Sequence, residues 1–183
     1  MVVIDATIIL LLLRPGILVP LGSDGVAIEH PKERIEHLVS ELERAKTKII
    51  IPTPALSEVL VRAGAVASQQ IVDRLSKHAA FSIEPFDTRA TIEVAAMTRE
   101  ELDSGNGKRG GSAAVWAKVK YDRQIVAIAK VNSASTIYSD DGDIKRIASR
   151  SKITVKGLAD LPLPDSAAQY TFALQERQEE PQT

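Results

Sequence analysis

Six carboxylates stand out by type and place: Asp5, Glu58, Asp122, and the three acids of Asp140-Asp141-Gly142-Asp143. Carboxylates at such positions hold a hard cation or move protons. The 183-residue chain has no cysteine, so disulfides, thiolate zinc sites and cysteine nucleophiles are excluded. The three histidines, His30, His37 and His78, show no ligand-like spacing. An oxygen-only donor set selects Mg²⁺ or Mn²⁺ over Zn²⁺. Capping a helix needs one acid of the 140–143 run. The close packing of the others is repulsive, and a cation would offset that repulsion. The spacing is not that of an EF-hand loop. A carboxylate-held metal pair suits in-line attack of water on a phosphodiester.

These acids are useful together only if the fold gathers them. Met1 to Asp5 reads as a buried strand and Ala6 to Leu13 as a short apolar helix, stopped by Arg14-Pro15-Gly16. Residues 14–30 read as a loop. Pro31 to Lys46 is an amphipathic helix and Lys48 to Ile51 a second strand. Thr53-Pro54 has the signature of a cap followed by proline at the first helical position, and that helix ends at Gly64. A helix over about 68–80, a strand over Phe81 to Glu84, and a helix capped by Asp87 and reaching about Asp103 follow. The glycine-rich stretch 105–111 reads as a flexible loop. Ser112 to Asn132 reads as a helix broken near Asp122. Ser135 to Ser139 is a fourth strand, Asp141 to Ser149 a short helix and Ile153 to Val155 a fifth strand. Beyond Gly157 the chain reads as a Pro- and Gln/Glu-rich tail with a helix around 167–178.

Strands separated by helices imply a mostly parallel five-stranded sheet with helices on both faces. Sites in such sheets lie beyond the carboxyl ends of the strands, where strand order reverses. Asp5 ends the first strand. Glu58 lies only ~6 Å along the helix that leaves the second strand, and its side chain leans back toward the helix start. From Asp122 to Asn132 is ~15 Å of helix, and the fourth strand climbs back over ~17 Å. Asp122 and the 140–143 acids therefore return to the same end.

With the acids in this order, the chain resembles the PIN-domain family, the fold of many VapC-type toxin ribonucleases. The matching stretches are Val2-Val3-Ile4-Asp5-Ala6, Thr53-Pro54-Ala55-Leu56-Ser57-Glu58-Val59, Asp122-Arg123-Gln124-Ile125-Val126-Ala127-Ile128-Ala129, and Ile137-Tyr138-Ser139-Asp140-Asp141-Gly142-Asp143-Ile144. Each motif is short, but the ordered set of four is specific and covers about Val2 to Val155. The resemblance implies a three-layer α/β/α fold over 1–157, with 158–183 a C-terminal tail. It implies an Mg²⁺- or Mn²⁺-dependent endoribonuclease with Asp5, Glu58, Asp122 and Asp141 as the metal-site acids. Ser139 matches the family's hydroxyl position, Asp143 an auxiliary acid, and Asp140 the variable position between them. A homodimer and an antitoxin that enters the site are implied in the same way. The long loop 14–30 and the tail depart from the compact toxin pattern. A free-standing PIN nuclease in RNA processing and a non-catalytic PIN-like binding subunit are the alternatives. The retained acid quartet argues against the second.

Composition limits the partners. With 23 Lys+Arg against 24 Asp+Glu the net charge is −1, which by itself gives no licence for nucleic-acid binding. Yet residues 105–130 carry Lys108, Arg109, Lys118, Lys120, Arg123 and Lys130 against one acid, Asp122. Lys108, Arg109, Lys118, Lys120 and Arg123 are therefore the candidate RNA-backbone contacts, and the glycines around Lys108 would let the loop close over substrate. Aromatic residues are only 4%, which disfavours base-stacking platforms. The apolar start lacks a basic n-region and a cleavage site and is too short to span a bilayer, so a cytoplasmic protein without a membrane partner is expected. A haloacid-dehalogenase-type phosphatase would need a second Asp two residues after Asp5, where Thr7 stands. A phospho-acceptor domain would need a late strand-end Lys, which is missing.

Overall fold

The fold is that of a computed structural model, in which residues 1–13, 20–22, 25–164 and 167 are described. Five strands form one parallel sheet in the order β3-β2-β1-β4-β5: β1 (Val2–Ile4), β2 (Ile49–Pro52), β3 (Phe81–Glu84), β4 (Thr136–Tyr138) and β5 (Thr154–Lys156). The three central strands are runs of β-branched and aromatic residues because helices cover both faces of the sheet. Val3, Ile49, Ile51 and Ile137 have no exposed surface. Register is fixed by Val3, which faces Ile50 on one side and Ile137 on the other.

Chain order steps outward from β1 to β2 and β3, then crosses back to β4 and β5. With right-handed crossovers this puts α1 (Ala6–Leu13), α2 (Pro31–Arg44), α3 (Thr53–Ala63) and α4 (Ala65–Lys77) on one face. On the other lie α5 (Thr88–Asp103), α6 (Trp116–Val131) and α7 (Gly142–Ala148). The packing agrees: α1 rests on α2 and α3, α3 on α4, α5 on α6 and α6 on α7. The result is the expected three-layer arrangement. The apolar start resolves into β1 and α1, with Ile8, Ile9, Leu10 and Leu11 at 1% exposure or less. No described helix is long and apolar enough to cross a membrane.

Several local expectations are corrected. Helix α6 runs unbroken through Asp122, since the Lys118–Asp122 pair one turn apart supports it instead of breaking it. It starts at Trp116, later than expected. Thr53 does not cap α3: the cap position is Pro52, and Thr53 Oγ1 instead accepts the Phe86 amide at 3.1 Å, tying β2 to the strand-end loop beside it. Helix α4 begins at Ala65, directly after Gly64. Asp87 caps α5 as expected, accepting from the Ala90 amide at 2.9 Å. After β5 a 3₁₀ turn (Leu158–Asp160) buries Leu158, and Leu161 is buried with it. Of the helix expected over 167–178 only Ala167 is described, and it is buried; 168–178 lie outside the described residues, as do 14–19 and 23–24 of the first loop. In the described part of that loop the Gly22 amide donates to the Val26 carbonyl at 2.7 Å.

Candidate metal centre

Strand order reverses between β1 and β4, so their carboxyl ends open a crevice between the two helical layers. Asp5 leaves β1 there, and Ser139 leaves β4 beside it. Asp5 is buried; Oδ1 accepts the Ile8 amide at 3.1 Å at the start of α1, and Oδ2 accepts the Ser139 hydroxyl. Burial pushes the Asp5 carboxyl up to about 6, against the lowering effect of those two hydrogen bonds, and the charges of Asp140 and Asp141 add to the rise. Ser139 also accepts the Asp141 amide at 3.1 Å, so one hydroxyl orients two acids.

Asp141 is the N-cap of α7. Its Oδ1 accepts the Asp143 amide at 2.7 Å and the Ile144 amide at 3.3 Å, leaving Oδ2 to face the crevice. Asp122 projects from α6 toward the same point and is 6% exposed. One carboxylate oxygen from each of Asp122, Asp141 and Asp143 lies within 4.8 Å of the other two. Asp143, expected as an auxiliary acid, thus belongs to the tightest part of the cluster. Burial raises Asp122, and the neighbouring charges of Asp141 and Asp143 raise it further against the hydrogen bond from Lys118. Asp143 is lowered, because hydrogen bonds from Ser112, Arg146 and Lys118 outweigh its burial.

Glu58 stands on α3 at the rim, half exposed, and pairs with Arg62 at 2.9 Å. Asp5, Glu58, Asp122, Asp140 and Asp141 line one cavity of about 750 Å³ with Lys118 and Tyr121. The four acids expected to share a site line the same cavity, although Asp5 and Glu58 stand outside the tight trio. Asp140 has a structural tie: its Oδ1 accepts the Leu158 amide at 2.8 Å, fixing the turn after β5. Burial raises its carboxyl.

The arrangement suits a hard cation. Every donor is a carboxylate oxygen, and a positive group already sits among the three clustered acids. Lys118 Nζ lies 2.8 Å from Asp122, 2.8 Å from Asp141 and 3.4 Å from Asp143. Burial alone would lower the Lys118 ammonium, yet its bonds to Asp122 and Asp141 raise it overall. The donor set fits Mg²⁺ or Mn²⁺.

The basic residues divide. Lys108, Arg109 and Lys120 are exposed. Lys118 is engaged by the acids. Arg123 is corrected as an RNA contact: it is 1% exposed, and Nη1 donates to Thr98 Oγ1 at 3.0 Å and to the Lys108 carbonyl at 2.7 Å. One residue on from Asp122 turns the side chain about 100° around α6, away from the crevice. Its guanidinium lies 5.5 Å from the Trp116 ring centroid. The glycine-rich loop is tied at Gly110. Arg146 Nη1 donates to the Gly110 carbonyl at 2.7 Å, and Gly110 adopts φ 61° where any Cβ would lie 2.6 Å from the Glu101 carboxyl.

Sequence reasoning missed Glu101 and Arg146. Glu101 is 4% exposed in the last turn of α5, with Arg150 at 2.8 Å, Arg146 at 3.8 Å and the Asn106 amide at 3.0 Å. Arg146 also holds Asp143 at 3.1 Å, linking this basic cluster to the acid site. A usable signal existed: an acid in the last turn of a helix opposes the dipole and needs a partner.

A parallel α/β sheet with carboxylates gathered at its switch point defines the class. The PIN domain family model matches residues 25–150, and the chain belongs to that family. Two solved structures share the fold. A chain of VapBC2 from Rickettsia felis, bound to a DNA fragment from its promoter, is 16% identical with a TM-score of 0.57, over 86% of this chain and 98% of that one. A chain of DNA-bound VapBC from Salmonella typhimurium is 15% identical with a TM-score of 0.52, over 86% of this chain and 97% of that one. No curated protein matches the sequence.

Proposed function

We propose that this protein is an Mg²⁺- or Mn²⁺-dependent endoribonuclease and the toxin of a toxin–antitoxin pair. The observation that carries the nuclease reading is the trio Asp122, Asp141 and Asp143, with oxygens within 4.8 Å of one another, of which Asp122 and Asp141 line one crevice with Asp5 and Glu58. Asp122, Asp141 and Asp143 would hold the ion, with Asp5 and Glu58 completing the acidic wall. A divalent ion, when bound, supplies Lewis acidity toward phosphate oxygens and water. Ser139 holds Asp5 and the Asp141 backbone in register, so the acids need little rearrangement. Arg146 keeps Asp143 turned to the cluster. Lys108, Arg109 and Lys120 are exposed, and their charge would add long-range attraction for an RNA backbone.

The toxin reading is supported by the shared fold with the two VapBC complexes, each of which pairs two proteins. By the same likeness we propose an antitoxin partner that covers the crevice, a homodimer and a cytoplasmic location. Asp5→Asn and Asp141→Asn should lose Mn²⁺-dependent cleavage of RNA while keeping the wild-type circular dichroism spectrum. Wild-type cleavage by both variants would refute the site. Induced expression should arrest growth of a bacterial host. Normal growth together with an active purified enzyme would point to a free-standing nuclease in RNA processing.

A further inference from the structure

Three carboxylates that gather a divalent ion repel one another before it arrives. In this protein two cations face them, and they are held differently. Arg146 reaches Asp143 but is also bonded to the Gly110 carbonyl at 2.7 Å and faces Glu101 at 3.8 Å, so it is anchored from behind. Among the described residues the Lys118 ammonium is bonded only to Asp122, Asp141 and Asp143, the same three residues that form the tight cluster. Its side chain is 43% exposed and lines the cavity, so it can swing out without disturbing the core.

An ammonium within 3.4 Å of all three acids occupies the space an ion would need. Mg²⁺ binds oxygens at about 2.1 Å, and the two cations cannot share that space. We propose that Lys118 is an exchangeable counter-cation: it neutralises the acid cluster in the ion-free protein, leaves as the divalent ion enters, and is then free at the mouth of the crevice to meet a phosphate oxygen. This rests on the metal-site reading above. Lys118 is a positioning residue, and it lowers the apparent affinity for the ion because its ion pairs must break first. Its place one turn before Asp122 on α6 makes the exchange local, with no backbone movement required.

Two measurements on the full chain test the exchange. First, acetic anhydride labelling read by mass spectrometry should be slow at Lys118 without Mg²⁺ and several-fold faster with saturating Mg²⁺, while exposed Lys120 serves as the internal control. An unchanged or slower rate at Lys118 with Mg²⁺ bound would overturn the proposal. Second, calorimetric titration with Mg²⁺ should show Lys118→Met binding about tenfold or more tightly than wild type, and Lys118→Arg no more tightly than wild type. Equal affinity of wild type and Lys118→Met would also overturn it. Should Lys118→Met fail to fold without Mg²⁺, the labelling of the wild type decides alone. Absence of Mg²⁺ binding by every protein would instead refute the metal site itself, so the two failures are distinct.

Discussion

The acid cluster and the basic cluster behind it are near inverses of each other. At the crevice, Asp122, Asp141 and Asp143 surround one ammonium. Behind it, Arg146 and Arg150 pair with one carboxylate, Glu101, and Arg123 lies in the same pocket. The surroundings differ most. Asp122 and Asp141 open on a cavity of about 750 Å³, whereas Glu101, Arg123 and Arg150 line one of only about 50 Å³. The excess positive charge is also bound by fixed carbonyls, of Lys108 for Arg123 and of Gly110 for Arg146. Charge surplus alone therefore does not mark a working site. A surplus closed off by backbone dipoles builds structure, and one left open to solvent beside a single half-exposed lysine is available for a ligand. Arg146 joins the two, so the rigid cluster sets the position of Asp143 in the open one.

Neutralising one acid in the open cluster should cost function and not stability. Asp122→Asn is expected to lower Mn²⁺-dependent RNA cleavage by about a hundredfold or more. Its ion-free unfolding midpoint in urea should equal or exceed the wild-type value, because like-charge repulsion is relieved. A large loss of stability would make the two clusters alike.

Asp5 gives the open cluster its pH signature. Its folded carboxyl is raised to about 6, above the ordinary value of 3.8. The native state thus binds more protons than the unfolded chain between about pH 4 and 6, and stability falls as pH rises through that window. In ion-free protein the difference between wild type and Asp5→Asn should change across it by on the order of 3 kcal/mol, levelling off above and below. Taking the difference removes Asp122, which shares the sign, and Asp143, which opposes it, while the charge coupling of Asp140 to Asp5 stays within the measured change.

The closed cluster should respond in the opposite way. Glu101→Gln leaves Arg150 without its acid and Arg146 with Asp143 alone, and should cost about 2 kcal/mol of unfolding free energy, below the range for a wholly buried pair, since Arg146 and Arg150 keep 31% and 45% exposure. Urea unfolding measures it, and cleavage per folded molecule should change less than for Asp122→Asn. The smallest effect is expected at the exposed flank. Lys120→Ala should weaken RNA binding only a few-fold and reduce its salt dependence by about one counterion.

Much of this was legible in the residues. The length of α6 and β4 returns Asp122 and Asp141 to one edge, and the apolar runs of β1, β2 and β4 place that edge at the centre of the sheet. What escaped depends on rotation and on distant partners. Asp122 and Arg123 are adjacent in sequence, but one faces the crevice and the other packs behind α6, so a count of basic residues over 105–130 merged two surfaces. The glycines near Lys108 read as freedom, yet Gly110 is where the chain passes tightly over Glu101, a contact no local pattern reveals. Thr53 carries a capping residue's chemistry and spends it on Phe86, 33 residues away.

The central claim is that the carboxylates at the switch point bind a divalent cation. Calorimetric titration of Mn²⁺ into wild type and into the Asp122→Asn/Asp141→Asn double variant tests it directly; Asn remains a competent cap at the start of α7, so the variant should stay folded. Wild type should bind Mn²⁺ saturably and the folded double variant should not bind it at all. Equal binding by both, or none by wild type, would contradict the claim.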